Sequence, residues 1–388
     1  MNRLLLLLML LPFLQACFNK NRLQLLWQAP VASQEQPIVQ DGIVYVTGIR
    51  AGHPEESRRL FALDALTGQE KWVSADSVYE VYGVSGGSVF FKNMAKHLVQ
   101  LDTQTGEKLH ETEDDSAQIV HCVVSGDTMF IINASQQVVA IDNRRNEVLW
   151  RRQLPFGPGA DTELQITGNQ IIASGNFRNP EEQFGMIWSL DAATGAEQWH
   201  FEAPEPHDYA PLKLYVFPPW VLATNTAPTN LGTHVLDLQT GKELYPRIYA
   251  FAFRGYRENT AYASNGAFDL KTGQRIGDSN TWVPASFVYK GVAWARKISS
   301  VGAGESFFLR NEYDGDYTGR RDWTNTPPNS VIEGADLQTG KPVKGTKIFK
   351  FTQFSEPVES GGILYHSSIA VMKEGTSGVW AYRLPGVK

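Results

Sequence analysis

The 388-residue chain has only two cysteines, Cys17 and Cys122, so at most one disulfide could form. It has no run of lysine or arginine. Its 35 basic and 41 acidic side chains leave a formal net charge of −6. That balance offers no electrostatic stripe for a phosphate backbone and argues against nucleic acid as a partner. The eight histidines are scattered. No HExxH, CxxC or paired-histidine spacing predicts a zinc site, and no GxSxG elbow predicts a serine hydrolase. Gly302-Ala303-Gly304 is too short for a phosphate-cradling loop. Hydrophobic residues make up 42% of the chain and aromatics 11%, enough for a sizeable core.

The one strongly apolar run is at the N-terminus. Met1-Asn2-Arg3 is a short positive segment, and Leu4 to Leu14 is apolar except for Pro12. Such a run is too short to cross a hydrocarbon layer of roughly 30 Å as a helix, so it reads as a secretory signal. It ends in Leu14-Gln15-Ala16-Cys17, which resembles the lipobox of bacterial lipoproteins. The resemblance implies cleavage after Ala16 and acylation of Cys17, palmitate included. Each buried CH₂ contributes about 0.8 kcal/mol, so two or three acyl chains hold a protein on a membrane. Phe18 follows where an aspartate would resemble an inner-membrane retention signal, which points to the outer membrane, facing the periplasm. Cys122 lies in the apolar run Ile119–Val124 and is expected to be buried and inert. With Cys17 acylated, no disulfide remains, so the core alone must hold the fold in an oxidising compartment.

What is abundant is repetition. The frame Asp-x-x-Thr-Gly recurs at Asp64/Gly68, Asp102/Gly106, Asp191/Gly195, Asp237/Gly241, Asp269/Gly273 and Asp336/Gly340. A seventh copy has Asp142 with Asn146 in the glycine place, and an eighth has Tyr382 for the aspartate with Gly386 behind it. An aspartate can accept from backbone N–H groups two residues on and so start a turn. Glycine at the fourth place supplies φ > 0, and asparagine is the next best residue there. Four residues later stands tryptophan in three copies, Trp72, Trp150 and Trp199. A large ring there suits packing between neighbouring sheets. In the second, fifth, sixth and seventh copies His110, Tyr245, Gly277 and Lys344 take its place. A second apolar strand, usually opened by glycine, precedes each aspartate motif, as in Gly42–Val46, Gly87–Phe91 and Gly362–Tyr365.

Each repeat is thus a small antiparallel sheet of about four strands that cannot bury both faces alone. Radial stacking does so. The aspartates are 38, 40, 49, 46, 32, 67 and 46 residues apart, near the 40–45 residue period of propeller blades. The long gap holds no second turn motif and reads as one blade with an insertion. The sequence therefore predicts an all-β, eight-bladed β-propeller of four-stranded antiparallel blades. The last copy ends before its outer strand, and Leu23–Trp27 is an orphan strand carrying a tryptophan. That strand is expected to complete the last blade and close the ring. The expected organisation is a signal peptide over 1–16, a lipidated tether over 17–22 and the propeller over 23–388.

The Asp-x-x-Thr-Gly-x-x-x-Trp repeat resembles the PQQ-like propeller repeat. Together with the lipobox and eight copies, it resembles outer-membrane assembly lipoproteins of the BamB family over nearly the whole mature chain. The resemblance implies a non-catalytic scaffold without cofactor, monomeric alone, that binds the β-barrel assembly machinery. Quinoprotein dehydrogenases share the repeat, but their adjacent cysteines and calcium site have no counterpart here. This chain departs from the BamB pattern in its irregular blades and in long inserts at Ile49–Arg59, Asn176–Gln183, Asn225–Thr233 and Asn311–Ser330. Each insert falls between the glycine-led strand and the aspartate-motif strand, so all should gather on one face, opposite the tight turns. They carry Phe177, Tyr313, Tyr317 and Trp323 and adjoin Phe184, residue types suited to anchoring a protein partner; packing onto their own blades is the other reading. The partner is either the assembly machinery or another periplasmic or secreted protein; a quinoprotein-type enzyme is the third reading. Asp314-Gly315-Asp316-Tyr317-Thr318-Gly319 matches the first half of a calcium loop, with Asp322 at the ninth place. Asn325 stands where that loop needs glutamate, which favours a polar hairpin tip.

Overall fold

A computed structural model describes residues 23–33, 35–53, 56–112, 119–156, 162–178, 183–203, 212–225, 232–248, 255–257, 259–263, 266–278, 287–289, 292–299, 329–336, 348–349, 352–355, 357–370 and 377–384. The regular structure among these residues is β throughout, and none of them forms a helix long and apolar enough to cross a membrane. The chain forms two compact units, one from Trp72–Pro284 and the other from the residues before and after it.

The described strands form eight antiparallel sheets, numbered here in chain order. Sheet 1 holds Val31–Ala32 and Ile38–Gln40, which both pair along Ile43–Arg50 and count together as its broken first strand, then Ile43–Arg50, Arg59–Asp64 and Glu70–Val73; sheet 2 holds Val78–Ser85, Ser88–Asn93, Leu98–Asp102 and Lys108–Glu111. Sheet 3 is Ile119–Ser125, Thr128–Asn133, Gln137–Asp142 and Glu147–Gln153, and sheet 4 is Glu163–Thr167, Gln170–Arg178, Gln183–Asp191 and Glu197–Glu202. Sheet 5 has three strands, Leu212–Phe217, Trp220–Asn225 and Gly232–Asp237, with bridges to Glu243 and Ile248 in place of a fourth. Sheet 6 spans Gly255–Arg257, Thr260–Ala263, Gly266–Asp269 and Arg275–Asp278, and sheet 7 spans Phe287–Tyr289, Val292–Ser299, Asn329–Asp336 and Ile348–Phe349. The 67-residue gap between Asp269 and Asp336 thus spans sheet 7, whose second and third strands are joined by residues 300–328. Sheet 8 contains Thr352–Phe354, Val358–Ser360, Ile363–Ala370 and Gly378–Arg383. Its outer strand is the N-terminal segment Gln24–Ala29, paired from Gln24↔Arg383 to Ala29↔Val379.

The repeated turn is built by its aspartate. Asp64 Oδ1 accepts from the N–H groups of Leu66 and Thr67 and from the Thr67 hydroxyl, at 3.1, 2.9 and 2.8 Å. The Gly68 N–H donates to the Asp64 carbonyl at 2.8 Å. Asp102, Asp142, Asp191, Asp237 and Asp269 make the same side-chain acceptance. These hydrogen bonds hold the Asp64, Asp102 and Asp142 carboxyls below the usual carboxylate range, through Thr67, Thr105 and Arg145 first. Asn146 takes φ +55° beside glycines at about +70°, as its substitution for glycine requires.

A second repeated bond fixes which ends of each sheet meet. The residue after the aspartate donates its N–H to a carbonyl in the turn between the first and second strands. Examples are Ala65 to Gly42, Thr103 to Gly87, Asn143 to Asp127, Ala192 to Asn169 and Leu238 to Pro219. Both turns therefore share one end of a sheet. Antiparallel alternation places the connection from second to third strand at the other end.

The core of the Trp72–Pro284 unit lies between sheets. Phe130, Ile132, Val138 and Ala140 of sheet 3 pack with Leu164, Ile171, Ala173, Met186 and Leu190 of sheet 4. Val221, Ala223 and Leu236 of sheet 5 pack in the same way on Ile172 and Ile187. Full burial of such side chains contributes roughly 1.5–3 kcal/mol each.

Tryptophan is the clamp between successive repeats. Trp72 Nε1 donates to the Thr103 carbonyl, Trp150 to Ala192 and Trp199 to Leu238, at 2.9, 3.0 and 2.9 Å. Each ring covers the next turn's glycine: a Cβ on Gly195 would stand 2.6 Å from Trp150 Cε3. Tyr245 substitutes in kind, its hydroxyl reaching the Leu270 carbonyl at 3.0 Å above Gly273. His110 does not: its Nε2 meets the Asn146 side-chain amide at 2.8 Å, so the ring and the turn residue have changed together. In the other unit Trp27 reaches the Ala65 carbonyl at 2.9 Å and covers Gly68, as the orphan-strand reading requires of it.

Cys122 is 3% exposed, and burial pushes its thiol well above the usual range. In a Cys17→Ser variant at pH 8, iodoacetamide should label Cys122 only as fast as the protein opens, and at least 100-fold faster in denaturant. Fast labelling of the native protein, followed by mass spectrometry, would contradict the burial. His97, in the apolar-flanked run that leads into Leu98–Leu101, reads from the sequence as a strand residue. It stands one residue before the third strand of sheet 2, where its ring Nδ1 pairs with Glu111 at 3.0 Å. The Asn93–Lys96 turn, closed by the Lys96 N–H on the Asn93 carbonyl, precedes it and ends the previous strand early.

Candidate interaction surfaces

The inserts occupy equivalent places. Residues 51–58 join the second and third strands of sheet 1, 179–182 those of sheet 4, 226–231 those of sheet 5 and 300–328 those of sheet 7. All therefore leave their sheets at the end opposite the aspartate turns. Much of what reads as insert is strand. The hairpin of sheet 4 continues to Arg178↔Gln183, because Asn176, Phe177 and Phe184 keep pairing beyond the usual strand length.

Of the predicted anchors, Phe177 and Phe184 are direct cross-strand partners on that extension. Phe184 is half-buried against the cluster of Met186, Leu164 and Phe156, so it serves its own core as well as the surface. Tyr313, Tyr317 and Trp323 lie outside the described residues, as do Cys17, the signal segment and the Asp314–Asn325 stretch considered for calcium. The sheet 1 insert is tied down by charge. Arg50 grips Glu70 with both guanidinium nitrogens at 2.8 and 2.9 Å, and Arg58 bridges Glu35 at 3.1 Å and Thr47 at 2.8 Å. Among the described residues, no group of three or more His, Cys, Asp or Glu side chains could hold a metal ion.

Sequence reasoning missed one concavity. The first strands of sheets 2, 3 and 4 lie side by side and enclose about 420 Å³, lined by Glu80, Tyr82, His121, Cys122, Val123, Leu164 and Gln165 among others. Motif spacing carries no signal for it, since each strand contributes only three or four residues.

A family model described as outer membrane protein assembly factor BamB matches residues 16–176 and again residues 116–275. The chain belongs to this BamB family. Among solved structures, BamB from Moraxella catarrhalis superposes with a TM-score of 0.56 at 13% identity, over 93% of this chain and all of that one. The computationally designed Ika8 protein gives 0.56 at 16% identity, over 93% of this chain and 99% of that one. A quinohemoprotein alcohol dehydrogenase from Pseudomonas putida gives 0.52 at 15%, over 95% of this chain but 77% of that one. No curated protein matches. These likenesses show a fold shared by BamB and by dehydrogenases, and the family model places the chain in the BamB family. The aspartate turns and the tryptophan clamp are thus the BamB family's PQQ-like repeat seen in atomic detail.

Proposed function

We propose that this protein is a lipid-anchored, periplasm-facing scaffold of outer-membrane protein assembly, without catalytic activity. Residues 1–16 are its signal peptide, Cys17 carries the lipid, residues 17–22 are the tether and residues 23–388 form a closed eight-bladed propeller. The observation that carries the reading is the BamB family match across residues 16–275. Support comes from the division of labour within each sheet. Hydrogen bonds and aromatic rings occupy the turn end, while every elaborated connection leaves from the other end. Loops on a rigid frame are where binding is concentrated. The propeller's partner is the β-barrel assembly machinery, met by the insert end.

The test is photo-crosslinking in cells from Phe184, Tyr317 and Trp323, with identification of the adduct. Adducts with the barrel-assembly subunit are expected from at least one position, and from none on the exposed aspartate turns, such as Leu66. Adducts only with another periplasmic or secreted protein would overturn the partner. A purified protein that oxidises alcohols with added pyrroloquinoline quinone would overturn the scaffold reading.

A further inference from the structure

The concavity between the first strands of sheets 2, 3 and 4 is built, not incidental. In sheets 4 and 5 the first strand pairs without interruption, from Glu163↔Ser174 to Thr167↔Gln170 and from Leu212↔Asn225 to Phe217↔Trp220. In sheets 2 and 3 it does not. The register shifts between Val78 and Glu80, between Val81 and Gly83, and between Ile119 and His121. Tyr79, Tyr82 and Val120 are therefore extra residues in their strands. Bulges re-aim side chains and are frequent beside functional sites.

Tyr82 and His121 line the concavity that these bulges border. The Tyr82 hydroxyl and His121 Nδ1 are each hidden from bulk water and have no hydrogen-bond partner in the protein. Leaving a buried polar atom unpaired is unfavourable, because its hydration is lost without replacement. A change of about 30° in χ1 swings the Tyr82 hydroxyl, and a rotation about the soft χ2 torsion turns His121 Nδ1, towards an occupant of the concavity. Gln165, also lining it, offers an amide donor and acceptor.

The chemistry of the walls limits the occupant. Val81, Val123, Val124, Leu164 and Ile166 are apolar. The only lining carboxylate, Glu80, stands opposite Lys92 in the ladder; burial lowers the Lys92 amine and the Glu80 charge opposes that shift, so the two charges face and offset each other. The Lys92 ammonium also donates to the Ile119 carbonyl at 2.8 Å. Burial keeps His121 neutral by lowering its pKa, and it holds the Tyr82 phenol and the Cys122 thiol protonated. The site is thus a neutral set of donors and acceptors on an aliphatic wall. Its volume lies within the roughly 300–1,000 Å³ of small-ligand pockets.

We propose that Tyr82, His121 and Gln165 form a binding site for an uncharged peptide unit bearing an aliphatic side chain. The unit's carbonyl takes the Tyr82 O–H, its N–H faces His121 and Gln165, and its side chain lies on Val123, Leu164 and Ile166. A segment of extended polypeptide supplies this chemistry.

The test is a titration of the full mature chain, ¹⁵N-labelled at histidine, followed at the His121 ring nitrogens. N-acetylleucinamide is expected to shift them saturably, several-fold more tightly than N-acetylglycinamide. Acetate and ethylammonium should give no saturable shift. Tyr82→Phe should weaken N-acetylleucinamide about tenfold without moving the thermal midpoint by more than a degree or two. No saturable shift with either amide would mean that water alone occupies the concavity, and would overturn the proposal. So would a charged probe binding best, or undiminished binding in Tyr82→Phe.

Discussion

Trp199→Ala should destabilise the protein by about 3–5 kcal/mol, the usual cost of emptying a large aromatic site in a core. Three contributions are lost together. Trp199 is 7% exposed and packs with Ile187, Leu212 and Leu236. Its indole N–H is the donor that satisfies the Leu238 carbonyl. Its ring covers Gly241, whose φ of +68° suits a residue without a side chain. Gly241→Ala should also destabilise, through about 1–2 kcal/mol of left-handed backbone cost and the displaced ring. In the double variant the ring is gone, so only the backbone cost of the alanine remains. The two changes should therefore be less than additive by 1 kcal/mol or more, measured by urea unfolding of the four proteins. Strict additivity would mean that ring and turn do not act as one clamp.

The second large effect is expected from deleting residues 23–29. The deletion removes the outer strand of sheet 8, paired along Gly378–Arg383, and with it Trp27 and Ala29 from the core. It also uncovers Gly68 and takes the donor from the Ala65 carbonyl, leaving the Tyr365 hydroxyl there at 3.2 Å. Loss of the tryptophan alone should cost about 3–5 kcal/mol, against a whole-domain stability of roughly 5–15 kcal/mol. The newly bare edge is an aggregation template. The truncated protein should elute as aggregate in gel filtration, and a synthetic peptide of residues 23–30 added during refolding should restore the monomer. A truncated monomer with an unchanged urea midpoint would remove the strand from any structural role.

The sequence is legible where structure is local. Asp64 and Gly68 lie four residues apart in one turn, and their roles follow from the chemistry of aspartate and of φ > 0. Trp27 was legible at long range only because the repeat shows what a last copy lacks. The bond from Ala65 to Gly42 was not, since it joins two turns of one sheet through main-chain atoms that carry no residue preference. The Tyr82–His121 concavity was missed for a related reason. His121 sits in an apolar run and reads as core, and a bulge is one extra residue whose position the pattern does not mark. Among the anchors, Phe177 and Phe184 were read as loop residues, yet the hairpin extends through both. Backbone pairing continues to Arg178↔Gln183, but the short gap at 179–182 hides in a longer irregular stretch of sequence.

The exchange of Trp and Gly for His110 and Asn146 makes one junction between repeats chemically unlike the others. A repeat with a glycine turn accepts an indole from the repeat before it. Asn146 carries a Cβ at φ +55°, so its turn excludes an indole and accepts the smaller imidazole, which answers its amide. Repeats built on one turn motif can dock on the wrong neighbour while folding. One mismatched pair marks its own place in the series: among the described turns, the one at Asn146 is met by an imidazole, and the others are met by an indole or a phenol.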